Sequence, residues 1–208
     1  MEDVLEVYAE PYDPPRPKVN FAETTTQLIQ ETRQPLLAQP GQPQRYDDEY
    51  ARNGTRNLLL FVEPQVGWRH VQVTEQRPKV ACAHAMQWLV DAGSPEAPVM
   101  RVVLDNLNTH KIASLYEAFE PAEARRIARK LEFHYTPKHG RWVNMAESEL
   151  SVLPQQCLDR RIPDAATLTR EIAAWEQPRT AVPATIDWRF SVTDARKKLK
   201  RLYPSLPS

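Results

Sequence analysis

The chain has 208 residues, 41% of them hydrophobic, and its 27 basic and 27 acidic side chains leave a formal net charge of zero. That length suits one domain with an appendage and is enough to bury a core without disulfides or metal staples. No apolar run approaches the length of a membrane span, and the opening Met1-Glu2-Asp3-Val4-Leu5 lacks the basic start and apolar stretch of a secretory signal.

The two cysteines, Cys82 and Cys157, form no CxxC pair and supply no tetrahedral ligand spacing. They read as inert thiols in a reducing cytoplasm rather than as zinc ligands. The charge is unevenly spread. Residues 1–120 carry 11 basic and 17 acidic side chains, and residues 121–208 carry 16 and 10. A basic second half is compatible with a face that meets a polyanion, although charge runs usually coat a solvated surface.

In chain order, the proline-rich segment 9–17 cannot propagate a helix or a central strand, so residues 1–17 read as a lead-in. Lys18 to Ala22 reads as a short strand, and the proline- and glutamine-rich stretch 35–48 as a loop. Asn57 to Val62 is a continuous apolar run, as expected of a strand buried on both faces. Gly67 to Val73 alternates and suits its hairpin partner. Pro78 to Val90 has helical spacing, and Val99 to Leu104 is a second buried strand. Helices are expected over Ile112 to Ala118 and from Pro121, followed by a strand over Leu131 to Tyr135. Asn144 is a plausible N-cap for a helix through Glu147, Leu150 and Leu153, which Pro154 should kink or end. From Asp164 the tail alternates helical stretches with a short extended piece, Ile186 to Phe190, and its last helix, about 193–202, is basic.

This order indicates an α/β domain whose mixed sheet begins with a meander. An RNase H-like sheet has this order, and other α/β folds can be written onto it too. The expected division is a lead-in over 1–17, an RNase H-like domain over 18–160 and a helical extension over 161–208.

Two acids draw attention. Asp105 directly follows the buried strand Val99 to Leu104, where side chains point into the crevice in which α/β proteins bind ligands. Glu147 lies in the first turn of a helix. Together they offer oxygen donors for a hard divalent cation, although a first-turn carboxylate is often only a partner of the helix dipole.

The segments Val103-Leu104-Asp105-Asn106-Leu107-Asn108-Thr109-His110, His134-Tyr135-Thr136-Pro137-Lys138-His139-Gly140 and Asn144-Met145-Ala146-Glu147-Ser148-Glu149-Leu150 closely resemble the catalytic core of bacterial insertion-sequence transposases of the mariner superfamily, in its six-thirty group. The likeness extends over nearly the whole chain, from the opening MEDVLEVY to the tail motif Asp187-Trp188-Arg189-Phe190 and the Lys198 to Tyr203 stretch. It implies an RNase H-like fold and a triad of Asp, Asp and Glu that holds two Mg²⁺ or Mn²⁺ ions for DNA cleavage and strand transfer. Asp105 matches the second acid and Glu147 the third. Glu149, two residues further on, is expected to be structural.

The first acid is missing. The family pattern is an apolar strand ending in Asp-Glu, and this chain reads Val19-Asn20-Phe21-Ala22-Glu23, with Ala22 where the aspartate belongs. Glu23 points to the opposite face of the strand and cannot replace it without a register shift. The resemblance therefore implies a catalytic domain inactive as written. The alternatives are a non-catalytic DNA-binding or assembly subunit, and a residual nuclease with one metal on Asp105 and Glu147. It further implies DNA partners (transposon ends and target), a homodimer, a cytoplasmic, nucleoid-associated location, and sequence recognition by a separate N-terminal helix-turn-helix module.

Candidate DNA contacts are His110, weighed against a structural cap; Lys138, His139 and Arg141 in the loop before Glu147; and Lys197, Lys198, Lys200 and Arg201 in the basic tail. Trp142 is the tryptophan placed to meet DNA, while Trp68, Trp88, Trp175 and Trp188 read as core.

Overall fold

The computed structural model describes residues 1–75, 78–138 and 140–203. Its centre is a five-stranded mixed sheet in the order β3-β2-β1-β4-β5. These strands are β1 (Lys18–Glu31), β2 (Tyr50–Glu63), β3 (Trp68–Thr74), β4 (Met100–Leu104) and β5 (Leu131–Tyr135). The β1–β2 and β2–β3 pairs are antiparallel, and the β1–β4 and β4–β5 pairs are parallel. A meander followed by two parallel crossovers is the RNase H-like arrangement.

The apolar run Leu58 to Val62 is at most 1% exposed at every position, as a strand covered on both faces must be. Leu59 and Phe61 join Val19, Phe21, Val102 and Leu104 on one face, beneath α2 (Pro78–Trp88), α3 (Ala113–Ala118) and α4 (Pro121–Ala128). Leu58, Leu60 and Val62 join Ala22 on the other, against α5 (Met145–Cys157) and α6 (Ala165–Ala181). The β2–β3 turn closes through Gly67, whose amide donates to Glu63 O at 2.9 Å. Its φ of +72° and the Ala184 nitrogen, 2.9 Å from where a Cβ would sit, leave room only for glycine.

Residues 1–17 are more than a lead-in. Glu2–Ala9 form a helix, α1, that buries Val4, Leu5, Val7 and Tyr8. They pack against Val103, Val143 and Met145 and against Ala195 of α7 (Val192–Lys198), so α1 and α7 close on one core cluster. The tail helix is also shorter than expected, with a 3-10 turn over Lys200–Leu202. Strands β1 and β2 run far past the expected 18–22 and 57–62, as a two-stranded arm. The polar Thr24-Thr25-Thr26 run pairs with Leu58, Asn57 and Arg56 there, and the register shifts between Gln27 and Ile29. Pro154 does not end α5, which continues to Cys157. Only one turn follows it, so the missing amide costs a single bond close to a terminus where the ladder is already ending. No helix among the described residues is long and apolar enough to cross a membrane.

Candidate active site

The site lies where β1, β4 and α5 meet. In the parallel pair, Lys18, Val19 and Asn20 stand beside Arg101, Val102 and Val103. Continuing that register by two residues brings Ala22 level with Asp105, just past the end of β4. On its antiparallel side Ala22 faces Leu60. Its methyl group is 2% exposed and packs in the apolar cluster that contains Ala146 and Leu150 of α5.

The start of α5 is bonded to β1 by Asn144. This fully buried side chain accepts from Ala146 N at 3.1 Å as the expected N-cap, and its amide donates to Phe21 O at 2.8 Å. Asn20 reciprocates, its Oδ1 accepting from Met145 N at 3.3 Å and from the Tyr8 hydroxyl. Glu147, in the first turn of α5, follows Ala146, which shares the apolar cluster of Ala22. One strand register sets Ala22 beside Asp105, and one helix cap fixes the turn that carries Glu147.

Strand alternation turns Glu23 to the opposite face, as expected. That face holds His110, which is 0% exposed. Its Nδ1 bonds to Asp105 Oδ1, its Nε2 faces Glu23 Oε2 at 3.4 Å, and its ring meets Phe21 edge-on at 5.2 Å. Glu23 is therefore linked to Asp105 through one imidazole, a connection the sequence did not disclose. The candidacy of His110 as a DNA contact is corrected: a fully buried ring between two carboxylates cannot reach a phosphate.

Burial disfavours the charged ring, but the bonds to Asp105 and Glu23 outweigh it and push the His110 pKa up to about 9. The ordinary value is 6.5. A raised folded-state pKa stabilises the fold fully below the unfolded value and loses that contribution as pH rises through the folded value. The melting temperature is therefore expected to fall between pH 6.5 and just above 9. His110→Gln should flatten that fall; an equal slope in both proteins would refute the charged bridge. Burial, with Glu23 and Asp105 nearby, also pushes the Cys82 thiol up to about 12, which keeps it inert.

Glu147 has its own partner. Arg141, in the 3-10 turn before α5, donates from Nε at 3.1 Å and Nη2 at 2.9 Å to Glu147 Oε1. That pairing raises the arginine's pKa, and Asp105 and Glu23 add smaller contributions. Glu149 points elsewhere, accepting two bonds at 2.9 Å from the buried Arg69.

The remaining candidates flank this cleft. Lys138 is exposed and lines a cavity of about 510 Å³ with Trp142, Asp3 and Tyr203. Trp142 is 46% exposed and meets Phe190 edge-on at 5.3 Å, and Lys198 Nζ lies 5.7 Å from the Phe190 ring centre. That chain of contacts brings the basic tail beside the loop leading to Glu147. Lys197, Lys198, Lys200 and Arg201 are all exposed. His139 lies outside the described residues.

An RNase H-like sheet with one acid just past its fourth strand and another in the first turn of the helix after its fifth defines a class of nucleic-acid phosphodiester enzymes. The family model for the DDE superfamily endonuclease matches residues 19–169, and the chain belongs to that family. Among solved structures it is similar to the Mos1 mariner paired end complex with Mn, with a TM-score of 0.50 and 14% identity over 79% of this chain and 49% of that one. It is also similar to the Mos1 strand transfer complex, with a TM-score of 0.49 and 12% identity over 83% and 56%. The chain thus spans about half the length of the transposase it matches. Comparison with curated proteins gives no match.

Carboxylate oxygens suit Mg²⁺ or Mn²⁺, and Asp105 and Glu147 are the donors here. The residues as they stand do not fit such a centre. Ala22 has no oxygen to offer, Asp105 is engaged by His110, and Glu147 is engaged by Arg141. Among the described residues no group of three His, Cys, Asp or Glu side chains is arranged to hold a metal ion.

Proposed function

We propose that this chain is the catalytic domain of a bacterial insertion-sequence transposase of the six-thirty group, acting on DNA at the nucleoid, and that Ala22 leaves it unable to cut. The observation that carries this reading is the placement of Ala22 level with Asp105 and packed beside Ala146, within a chain whose family is established. Aspartate at that position would complete a triad of acids on β1, after β4 and on α5. Two metal ions held by such a triad would supply Lewis-acid activation of the attacking and leaving oxygens.

What the present residues do is bind and orient. The exposed lysines and arginine of the tail, with Lys138 and Trp142, give the cleft a basic and aromatic border that suits DNA backbone. Specific recognition of transposon ends would fall to a helix-turn-helix module, and the domain would act as a homodimer.

A second reading is a non-catalytic DNA-binding or assembly subunit paired with an intact transposase. It is favoured by the ease with which the fold accepts Ala22, whose methyl packs in an apolar cluster with Leu58, Leu60 and Ala146. Pull-down with a full-length transposase separates the two: retention supports a subunit role, and its absence removes it.

The exposed basic tail leads us to expect DNA binding that is weak, nonspecific and salt-sensitive. Titration of a fluorescent duplex is expected to give log Kd rising linearly with log salt, with a slope of about 0.9 for each neutralised phosphate. A salt-independent affinity, or strong preference for one sequence, would contradict this.

A further inference from the structure

Arg141 stands in the field of three carboxylates, Glu147 and Asp105 of the cleft and Glu23 behind it. It donates to Glu147, and Asp105 and Glu23 add to the hold on its guanidinium by raising its pKa further. Its Nε and one Nη2 hydrogen go to a single oxygen, Glu147 Oε1. A guanidinium carries five N–H donors in a rigid plane, so three are left over from that contact. The arginine side chain is 60% exposed and the glutamate 19%. The pair therefore turns its carboxylate inward and its guanidinium outward. An outward guanidinium edge, fixed from behind by a carboxylate, matches the paired oxygens of a phosphate.

The charges of the cleft divide accordingly. Glu23 and Asp105 share His110, and Glu147 has Arg141. A divalent ion at Glu147 would share the carboxylate with a guanidinium already bound to Oε1, and the two positive charges would repel. Trp142, next in the chain, reaches toward Phe190 and Lys198, so the surface beyond Arg141 continues into the basic tail.

We infer that Arg141 takes the place of a divalent ion at Glu147 and that its outer edge binds a DNA backbone phosphate without metal. Glu147 becomes a positioning residue that holds the guanidinium in its plane. The inference rests on the reading of DNA as this chain's ligand.

The test is fluorescence anisotropy of a short duplex in chelator, over a range of salt, for the full chain, Arg141→Gln and Arg141→Lys. Each protein is first melted by circular dichroism to confirm its fold, and the parent titration is repeated with Mn²⁺. The parent is expected to bind in chelator with an affinity that Mn²⁺ leaves unchanged. Arg141→Gln should weaken binding roughly tenfold, the effect of one charge-assisted contact, and flatten the salt slope by about 0.9. Arg141→Lys should keep the slope and fall between the two in affinity, because it retains the charge without the fork. An unchanged affinity and slope in Arg141→Gln would overturn the inference, as would tighter parent binding on adding Mn²⁺. No duplex binding by the parent would instead overturn the underlying reading of DNA as ligand.

Discussion

Ala22→Asp is expected to melt below the parent in chelator and to regain that loss in Mn²⁺. The alanine methyl lies in an apolar cluster at 2% exposure. A carboxylate there is desolvated and level with Asp105, two effects that both oppose its ionisation. Burying a polar group without a partner costs roughly 1–3 kcal/mol, and in a domain of this size each kcal/mol moves the melting temperature by about 2–4 °C. A divalent ion that binds only the folded site stabilises it by mass action, by about 2.7 kcal/mol at a hundredfold excess over Kd. The parent has no oxygen at this position, and its melting temperature should barely respond to Mn²⁺. A variant that responds no more than the parent would mean that Ala22 is not the only obstacle. Arg141, which holds Glu147, is then the next residue to change, because Pro154 leaves α5 unbroken.

Asn144→Ala should cost the fold more than any exposed substitution. The side chain is fully buried, caps α5 through Ala146 N and donates to the Phe21 carbonyl of β1. Losing the cap removes about 1 kcal/mol, and the orphaned Phe21 carbonyl adds roughly 1–3 kcal/mol. Urea melts should show a loss of roughly 2–4 kcal/mol. Because this residue makes the shorter of the two bonds that tie the first turn of α5 to the strand carrying Ala22, the other being Met145 N to Asn20 Oδ1, Glu147 should also lose its register, and Asn144→Ala combined with Ala22→Asp should not recover stability in Mn²⁺. A loss below about 1 kcal/mol, the value of a cap alone, would show that the bond to Phe21 does not hold the helix in place.

The parts legible in the sequence are those whose signal is local. The apolar run Leu58 to Val62 and the stretch up to Leu104 announce buried strands by composition, and Asp105 inherits its place from the strand end. Asn144 announces a helix start by its capping chemistry, which fixes Glu147 in the first turn. The β1–β2 arm is illegible beyond the core, because its polar residues bury little surface and are held by strand pairing, Thr24-Thr25-Thr26 with Leu58, Asn57 and Arg56 and Gln27 with Thr55. Helix α1 is eight residues long and is followed by prolines, and its stability comes from Val103, Val143 and Met145, more than ninety residues away in the chain. The link from Glu23 through His110 to Asp105 is of the same kind. Alternation says that Glu23 faces away from Ala22, but only the fold says that the loop after β4 sets a histidine there.

The central claim is that this is a DDE catalytic cleft lacking one acid, and a supercoiled-plasmid nicking assay tests it most directly. The parent, Ala22→Asp and the double variant Ala22→Asp with Glu147→Gln are incubated with Mn²⁺ and, separately, with chelator. The account predicts metal-dependent nicks from Ala22→Asp alone, and none from the parent or the double variant. Nicking by the parent at the rate of Ala22→Asp, or nicking by the double variant, would contradict it.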